Sequence, residues 1–198
     1  MTLNRLLITG AAGTLGHILR GAFAGRFQLL RLSDRSPLGP TGPEEEAITC
    51  DLADAASVRR LCEGVDAIVH LGGIANEAAW PELLQSNIAG VINLYEGARK
   101  AGVERVIFAS SNHATGMYPN DKTLSHETPP RPDSRYGLTK AFGEDVGALC
   151  LQARHPQLLP EDRLMPAQAR QPKGSVHMAV AGGFRPPGRG GAERRLRA

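Results

Sequence analysis

The chain begins with a short buried-strand run that leads directly into a glycine turn and an amphipathic stretch, and no other feature restricts its fold as much. Arg5-Leu-Leu-Ile-Thr9 is followed at once by Gly10-Ala-Ala-Gly13-Thr-Leu-Gly16, with a helical pattern continuing to about Gly25. Strand, tight turn and helix in this order open a βαβ unit of a doubly wound sheet. Gly10 permits the turn, Gly13 lets the backbone approach a pyrophosphate, and Gly16 lets the helix pack closely on the strand. The first turn of the helix presents free N–H groups and a positive dipole end to phosphates. The dinucleotide-binding turn is therefore placed on Gly10, Gly13, Thr14, Leu15 and Gly16.

The next apolar run, Leu29-Leu-Arg-Leu-Ser-Asp34, ends in a carboxylate at the spacing expected for bonding ribose hydroxyls and repelling a 2′-phosphate. NAD is thus expected over NADP, although the adjacent Arg35 offers a partner to such a phosphate. Asp34 equally suits the start of a turn before Pro37. Beyond it, strand and helix signals alternate as in a parallel sheet. Strands are expected over 46–51, 66–71 and 103–109, a helix over 55–63 capped by Asp54, and a long helix from Trp80 to near Gly102. The last strand delivers Ser110-Ser111-Asn112-His113 at its carboxyl end, where ligands bind in such sheets.

After a loop carrying Pro119, Pro129, Pro130 and Pro132, a helix to about Leu149 bears Tyr136 and Lys140. Four-residue spacing stacks the phenol and the ammonium on one helix face. A phenol is a poor base at neutral pH unless a fixed cation favours the phenolate, and Lys140 is placed to be that cation. Ser111 could hold the substrate oxygen whose proton Tyr136 takes. Taken alone, the pair also fits an ordinary helix surface.

Length and composition suit one modest α/β domain, with 198 residues and 41% hydrophobic content. No apolar run approaches membrane-spanning length, and the chain enters its first strand without a charged leader and cleavage site, so a cytoplasmic protein with no membrane partner is expected. Cys50, Cys62 and Cys150 have no metal-ligand spacing and form no even disulfide set, and no metal is expected. Residues 151–198 hold nine basic against three acidic residues, a net +6, whereas residues 1–150 hold fourteen against seventeen, a net −3. No basic stripe interleaved with aromatics marks the front segment, which argues against nucleic-acid binding.

Taken together, Thr9-Gly-Ala-Ala-Gly13, Leu32-Ser-Asp34, Cys50-Asp51-Leu52, His70-Leu-Gly-Gly-Ile74, Ser110-Ser-Asn-His113 and Tyr136-Gly-Leu-Thr-Lys140 resemble the extended short-chain dehydrogenases/reductases, in the NAD-dependent epimerase/dehydratase branch. Within that branch the Ser-Ser-Asn-His run is most similar to the uronate dehydrogenases. The resemblance covers about residues 3 to 149. It implies a Rossmann-type doubly wound parallel sheet, with Asp51 and Leu52 flanking the adenine and Leu71 and Gly72 lining the cofactor. By the same resemblance Ser111, Asn112 and His113 contact a sugar acid, Tyr136 is the base, and Lys140 also bonds the nicotinamide ribose. Asn112 as a loop cap and His113 as a neutral structural histidine are the plainer alternatives. The implied reaction is NAD-dependent oxidation at C1 of glucuronate or galacturonate to an aldarolactone. Ala75 departs from the pattern, standing where these enzymes carry a substrate-contacting serine. The same Tyr/Lys chemistry also serves sugar or nucleotide-sugar epimerases, dehydratases and reductases, and a non-catalytic NAD-binding module is a third reading.

The resemblance stops near Cys150, so residues 1–150 are expected to form the NAD-binding domain with an incomplete sheet, lacking the family's C-terminal substrate lobe. Residues 151–198 contain six prolines and six glycines with no sustained period, a composition that disfavours a packed domain. This tail reads as a frameshifted continuation. Shifted by one nucleotide, Met165 before Pro166 must encode Cys, Met178 before Ala179 must encode Trp, and permitted codons across 161–184 spell a sequence resembling the uronate enzymes. A missing lobe would remove part of the substrate site and leave the chain's activity open. It would also expose a sheet edge, so self-association is expected beside the small-molecule partner.

Overall fold

The computed structural model describes residues 3–153 together with the two-residue strand Ala179–Val180. Five parallel strands form the sheet's body: β1 (Arg5–Thr9), β2 (Leu29–Asp34), β3 (Glu45–Thr49), β4 (Ala67–His70) and β5 (Arg105–Phe108). Ala179–Val180, labelled β6, pairs antiparallel with β5, giving the spatial order β3-β2-β1-β4-β5-β6. The order reverses between β1 and β4. There the loops leaving the two strands diverge and open a crevice at their carboxyl ends. The reading of 151–198 as a non-native tail otherwise falls outside the described residues.

Alternate strand residues feed two cores. Leu7, Ile68, Val106 and Phe108 face one side and pack with Val58, Leu61, Leu94 and Tyr95 from α2 (Ala55–Cys62) and α4 (Gly90–Ala101). Leu6, Ile8, Leu30, Leu32, Ala67 and Val69 face the other side, with Leu19 and Phe23 of α1 (Thr14–Phe23) against them. Burial on both faces accounts for strands that read as apolar runs rather than alternating ones. Asp54 caps α2 by accepting the Ala56 and Ser57 amides, and α4 stops at Gly102 in the left-handed conformation, φ 73°.

Several expected boundaries shift. The strands at 66–71 and 103–109 shorten to Ala67–His70 and Arg105–Phe108 because the chain turns out of the ladder towards the crevice, although Leu71 and Ala109 still donate to Thr9 and His70 carbonyls. The strand expected over 46–51 occupies Glu45–Thr49. The long helix is present, but α3 (Trp80–Leu83) passes into α4 through a π-helical turn, Leu84–Ala89. The last helix, α5, spans Arg135–Ala153 and outruns the expected end at Leu149, since no residue between them breaks a helix.

Candidate active site

A cavity of about 510 Å³ opens at the switch between β1 and β4. All of the cofactor residues expected outside α5 line it: Gly10, Gly13, Thr14, Leu15, Gly16, Asp34, Asp51, Leu52, Leu71 and Gly72. Ala75 lines it too, as do Arg35 and Cys50. The turn at its floor needs glycine. Gly10 has φ +71°, and a Cβ there would lie 2.7 Å from the Gly72 amide nitrogen and the Leu71 carbonyl carbon. A Cβ on Gly16 would come within 2.5 Å of the Gly10 carbonyl oxygen, so the start of α1 can lie against the turn only without one. Among the described residues no side-chain hydrogen bond caps α1, and Thr14, Leu15 and Gly16 of its first turn line the cavity, leaving its first amides free towards it.

Asp34 stands at the end of β2 with its carboxylate fixed by the Ala12 amide at 3.0 Å and the Ser36 amide at 2.9 Å. The turn-forming and cavity-lining readings of this residue are thus compatible. On the opposite wall, Thr9 Oγ1 lies 2.6 Å from His70 Nδ1 and accepts the Gly72 amide at 3.3 Å, tying the ends of β1 and β4 together. Asn93 holds the Asp51–Ala53 turn by donating to the Leu52 and Ala53 carbonyls. Glycine-shaped walls, free amides and a fixed carboxylate fit a dinucleotide.

The remaining candidates sit past β5 and on α5, and they do not line that cavity. Lys140 is buried, donates to the Ala109 carbonyl at 2.8 Å, and lies 5.7 Å from the centre of the Tyr136 ring. Burial pushes its pKa down to about 8. Tyr136 is also buried, with the His113 ring edge-on at 5.8 Å. Ser111 caps the 3₁₀ turn Asn112–Ala114, accepting the His113 amide at 3.2 Å and donating to Asn112 Oδ1 at 3.3 Å. The cap of this loop is therefore Ser111 rather than Asn112. Tyr136, Lys140 and His113 come together, while no hydrogen bond joins Ser111 to Tyr136 among the described residues.

Three polar residues that the sequence reading passed over hold these parts in register. Asn87, buried in the π-helical turn, accepts the Ile74 amide at 2.7 Å and donates to the Ile74 carbonyl and to Thr139 Oγ1, which itself donates to the Tyr136 carbonyl. The cavity wall and the Tyr136 helix are thereby joined through one side chain. Glu77 accepts the Tyr136 amide at 3.0 Å and the Arg135 guanidinium, placing a carboxylate at the amino end of α5. The Tyr136 amide, then Arg135, hold its pKa below the usual carboxylate range. Glu144 is buried and accepts the Ser110 hydroxyl, next to Ser111. No local signal singles out any of the three: Asn87 shares its helical stretch with Asn93, and each is distinguished only by a distant partner.

A doubly wound parallel sheet with a glycine turn at its switch point, and a Tyr/Lys helix beside it, defines the Rossmann-type class of dinucleotide folds. The chain belongs to the NAD-dependent epimerase/dehydratase family, whose model matches residues 6–152. It is similar to a uronate dehydrogenase of Pseudomonas putida, 58% identical over 146 residues covering 73% of this chain and 54% of that protein. A uronate dehydrogenase of Agrobacterium fabrum is 50% identical, over 74% of this chain and 56% of its own length. Among solved structures, that of uronate dehydrogenase from Agrobacterium tumefaciens aligns with a TM-score of 0.75 at 49% identity, over 77% of this chain and 57% of that one. The chain spans about half the length of the curated relatives it matches. Among the described residues no helix is long and apolar enough to cross a membrane.

Proposed function

We propose that this chain is built to oxidise the C1 hydroxyl of a hexuronic acid, glucuronate or galacturonate, to an aldarolactone with NAD. The single observation that carries the reading is the buried Lys140 ammonium, pinned on the Ala109 carbonyl 5.7 Å from the Tyr136 ring, beside the Ser111–His113 turn. Similarity to the uronate dehydrogenases supplies the substrate class. Bound NAD supplies the hydride acceptor at C1. Gly10, Gly13, Thr14, Leu15 and Gly16 hold its pyrophosphate, Asp34 the adenosine ribose, Asp51 and Leu52 the adenine, and Leu71 and Gly72 the crevice wall. Lys140 favours the tyrosinate by its charge, Tyr136 takes the C1 hydroxyl proton, and Ser111 holds that oxygen. Asn112, His113 and Ala75 contact the sugar acid.

The test uses the full chain. Calorimetry measures NAD binding, and near-ultraviolet absorbance follows NADH formation with galacturonate or glucuronate. Uronate-dependent NADH formation supports the proposal; binding of NAD without turnover on any uronate reduces it to cofactor binding alone. Tyr136→Phe is expected to lower turnover by about 100-fold or more with NAD affinity nearly unchanged, the range for a lost general base. Asp34→Ala is expected to weaken NAD binding about tenfold, the equivalent of one charge-assisted hydrogen bond, and to narrow the preference over NADP. Unchanged NAD affinity in the Asp34 variant would remove that residue from the site.

A further inference from the structure

Asp133 was no part of the expected site, yet it is the partner of His113. His113 Nδ1 lies 2.9 and 3.0 Å from the two carboxylate oxygens of Asp133. Asp133 Oδ1 also accepts the Ser134 hydroxyl at 2.9 Å, and Ser134 Oγ accepts the Gly137 amide at 3.0 Å. A line of hydrogen bonds thus runs from the first turn of α5, which carries Tyr136, to the imidazole.

The backbone fixes this pair as well. The Arg131 amide donates to the Ala114 carbonyl, the Asp133 amide to the His113 carbonyl and the Met117 amide to the Arg131 carbonyl, so the two segments are stapled side by side. Close approach leaves room only for glycine on either flank. A Cβ on Gly137 would fall 2.2 Å from the His113 carbonyl oxygen, and one on Gly116 would fall 2.0 Å from Asp133 Oδ2. The His113 pairing holds the Asp133 carboxyl below the usual range, with Ser134 second.

An ionised carboxylate only accepts, so the ring proton facing it sits on Nδ1. The neutral imidazole then has its lone pair on Nε2. The His113 side chain is 49% exposed, its ring meets Tyr136 edge-on, and Nε2 makes no hydrogen bond among the described residues.

We propose that Asp133 is a positioning residue that locks His113 in the Nδ1–H tautomer, so that Nε2 faces the sugar acid as a hydrogen-bond acceptor for one of its ring hydroxyls. This inference rests on the uronate reading for its ligand, but not for the tautomer. Asp133→Asn is the informative substitution because it keeps the shape while its amide can donate to Nδ1, permitting the inverted tautomer with a proton on Nε2.

Nitrogen-15 NMR of the histidine rings in the full chain, with His113→Gln to assign the signal, reads the tautomer directly. The proposal expects Nδ1–H in the wild type, a shift towards Nε2–H in Asp133→Asn, and a change at Nε2 on adding galacturonate or glucuronate with NAD. Where the chain turns over, Asp133→Asn should raise KM for the uronate about tenfold with little change in kcat or in NAD affinity, the scale of one hydrogen bond. Asp133→Asn and His113→Gln together should cost no more than His113→Gln alone. A wild-type Nε2–H tautomer, or an Asp133→Asn chain with unchanged ring signals, overturns the positioning role. An Nδ1–H ring whose Nε2 ignores both uronates overturns its role toward the sugar acid, and turnover with an unaltered KM in Asp133→Asn does the same. Absence of turnover with a responsive Nε2 leaves the inference standing and counts against the oxidation proposal instead.

Discussion

Replacing Lys140 by methionine is expected to make the chain more stable at pH 7 while lowering uronate-dependent NADH formation at least about 100-fold. The two effects have one origin. Lys140 is 8% exposed, and burial lowers its pKa from the ordinary 10.5 to about 8. The unfolded chain therefore holds this proton up to higher pH than the folded one, and between about pH 8 and 10.5 stability rises as pH rises. Below pH 8 the full penalty of burying the ammonium is present, about 3 kcal/mol at about 1.4 kcal/mol per unit. Methionine keeps the length and removes that penalty. It also removes the hydrogen bond to the Ala109 carbonyl, a loss of about 1 to 2 kcal/mol. The net gain expected in urea unfolding at pH 7 is about 1 to 2 kcal/mol, and it should shrink towards about pH 10 as the wild-type amine loses its proton. A variant less stable than the wild type by the same margin at both pH values would refute this. The wild-type sequence retains a destabilising buried cation where the proposed proton transfer needs one, the usual relation between stability and an active site.

How far such features could be read in advance depends on whether their partners lie near in the sequence. Gly10 and Gly16, the Asp54 cap and the Gly102 stop are local devices, and each occupies the turn, cap or helix end that its type demands. Apolar runs gave the central strands and their parallel arrangement, because a strand buried on both faces announces itself by composition, whereas the edge strand β3 is only partly buried. Of the residues lining the crevice, Gly10 to Gly16 and Asp34 followed from local pattern, whereas Asp51, Leu52, Leu71 and Gly72 followed from the family resemblance. Asn87, Glu77, Glu144 and Asp133 were invisible for the opposite reason. Each is a polar residue whose meaning is a contact 13 to 59 residues away, with Ile74, Tyr136, Ser110 and His113 respectively. Periodicity reports which face is buried and not which side chain it meets. The π-helical turn that houses Asn87 inserts a register change that a regular 3.6-residue count passes over.

His70 was read as a strand residue and as the start of the His70-Leu-Gly-Gly-Ile74 run, and it is expected to make the fold acid-sensitive. Its ring is 1% exposed, stacked 5.7 Å from Phe108, with Nε2 lacking a hydrogen-bond partner among the described residues. Burial, and then the charge on Lys140, push its pKa down from 6.5 to about 3. The neutral ring is therefore the folded form, and the unfolded chain takes up a proton first on acidification. Stability from this source is complete above pH 6.5 and declines as the pH falls towards about 3. At about 1.4 kcal/mol per unit the decline amounts to roughly 4 to 5 kcal/mol, a large part of the total stability of a small domain. His70→Asn, which does not titrate, should be less stable than the wild type at pH 7 by about 1 to 3 kcal/mol, through lost packing and the Thr9 contact. The difference should close and reverse by about pH 4, and urea unfolding of both proteins across this range reads it. Parallel pH profiles would show that His70 does not set the acid limit. The same ring contacts Thr9, whose hydroxyl holds the Gly72 amide in the crevice wall. The folded ring stays neutral down to about pH 3, so this contact persists while stability declines, and the NAD affinity of the folded wild type should hold between about pH 6.5 and 4.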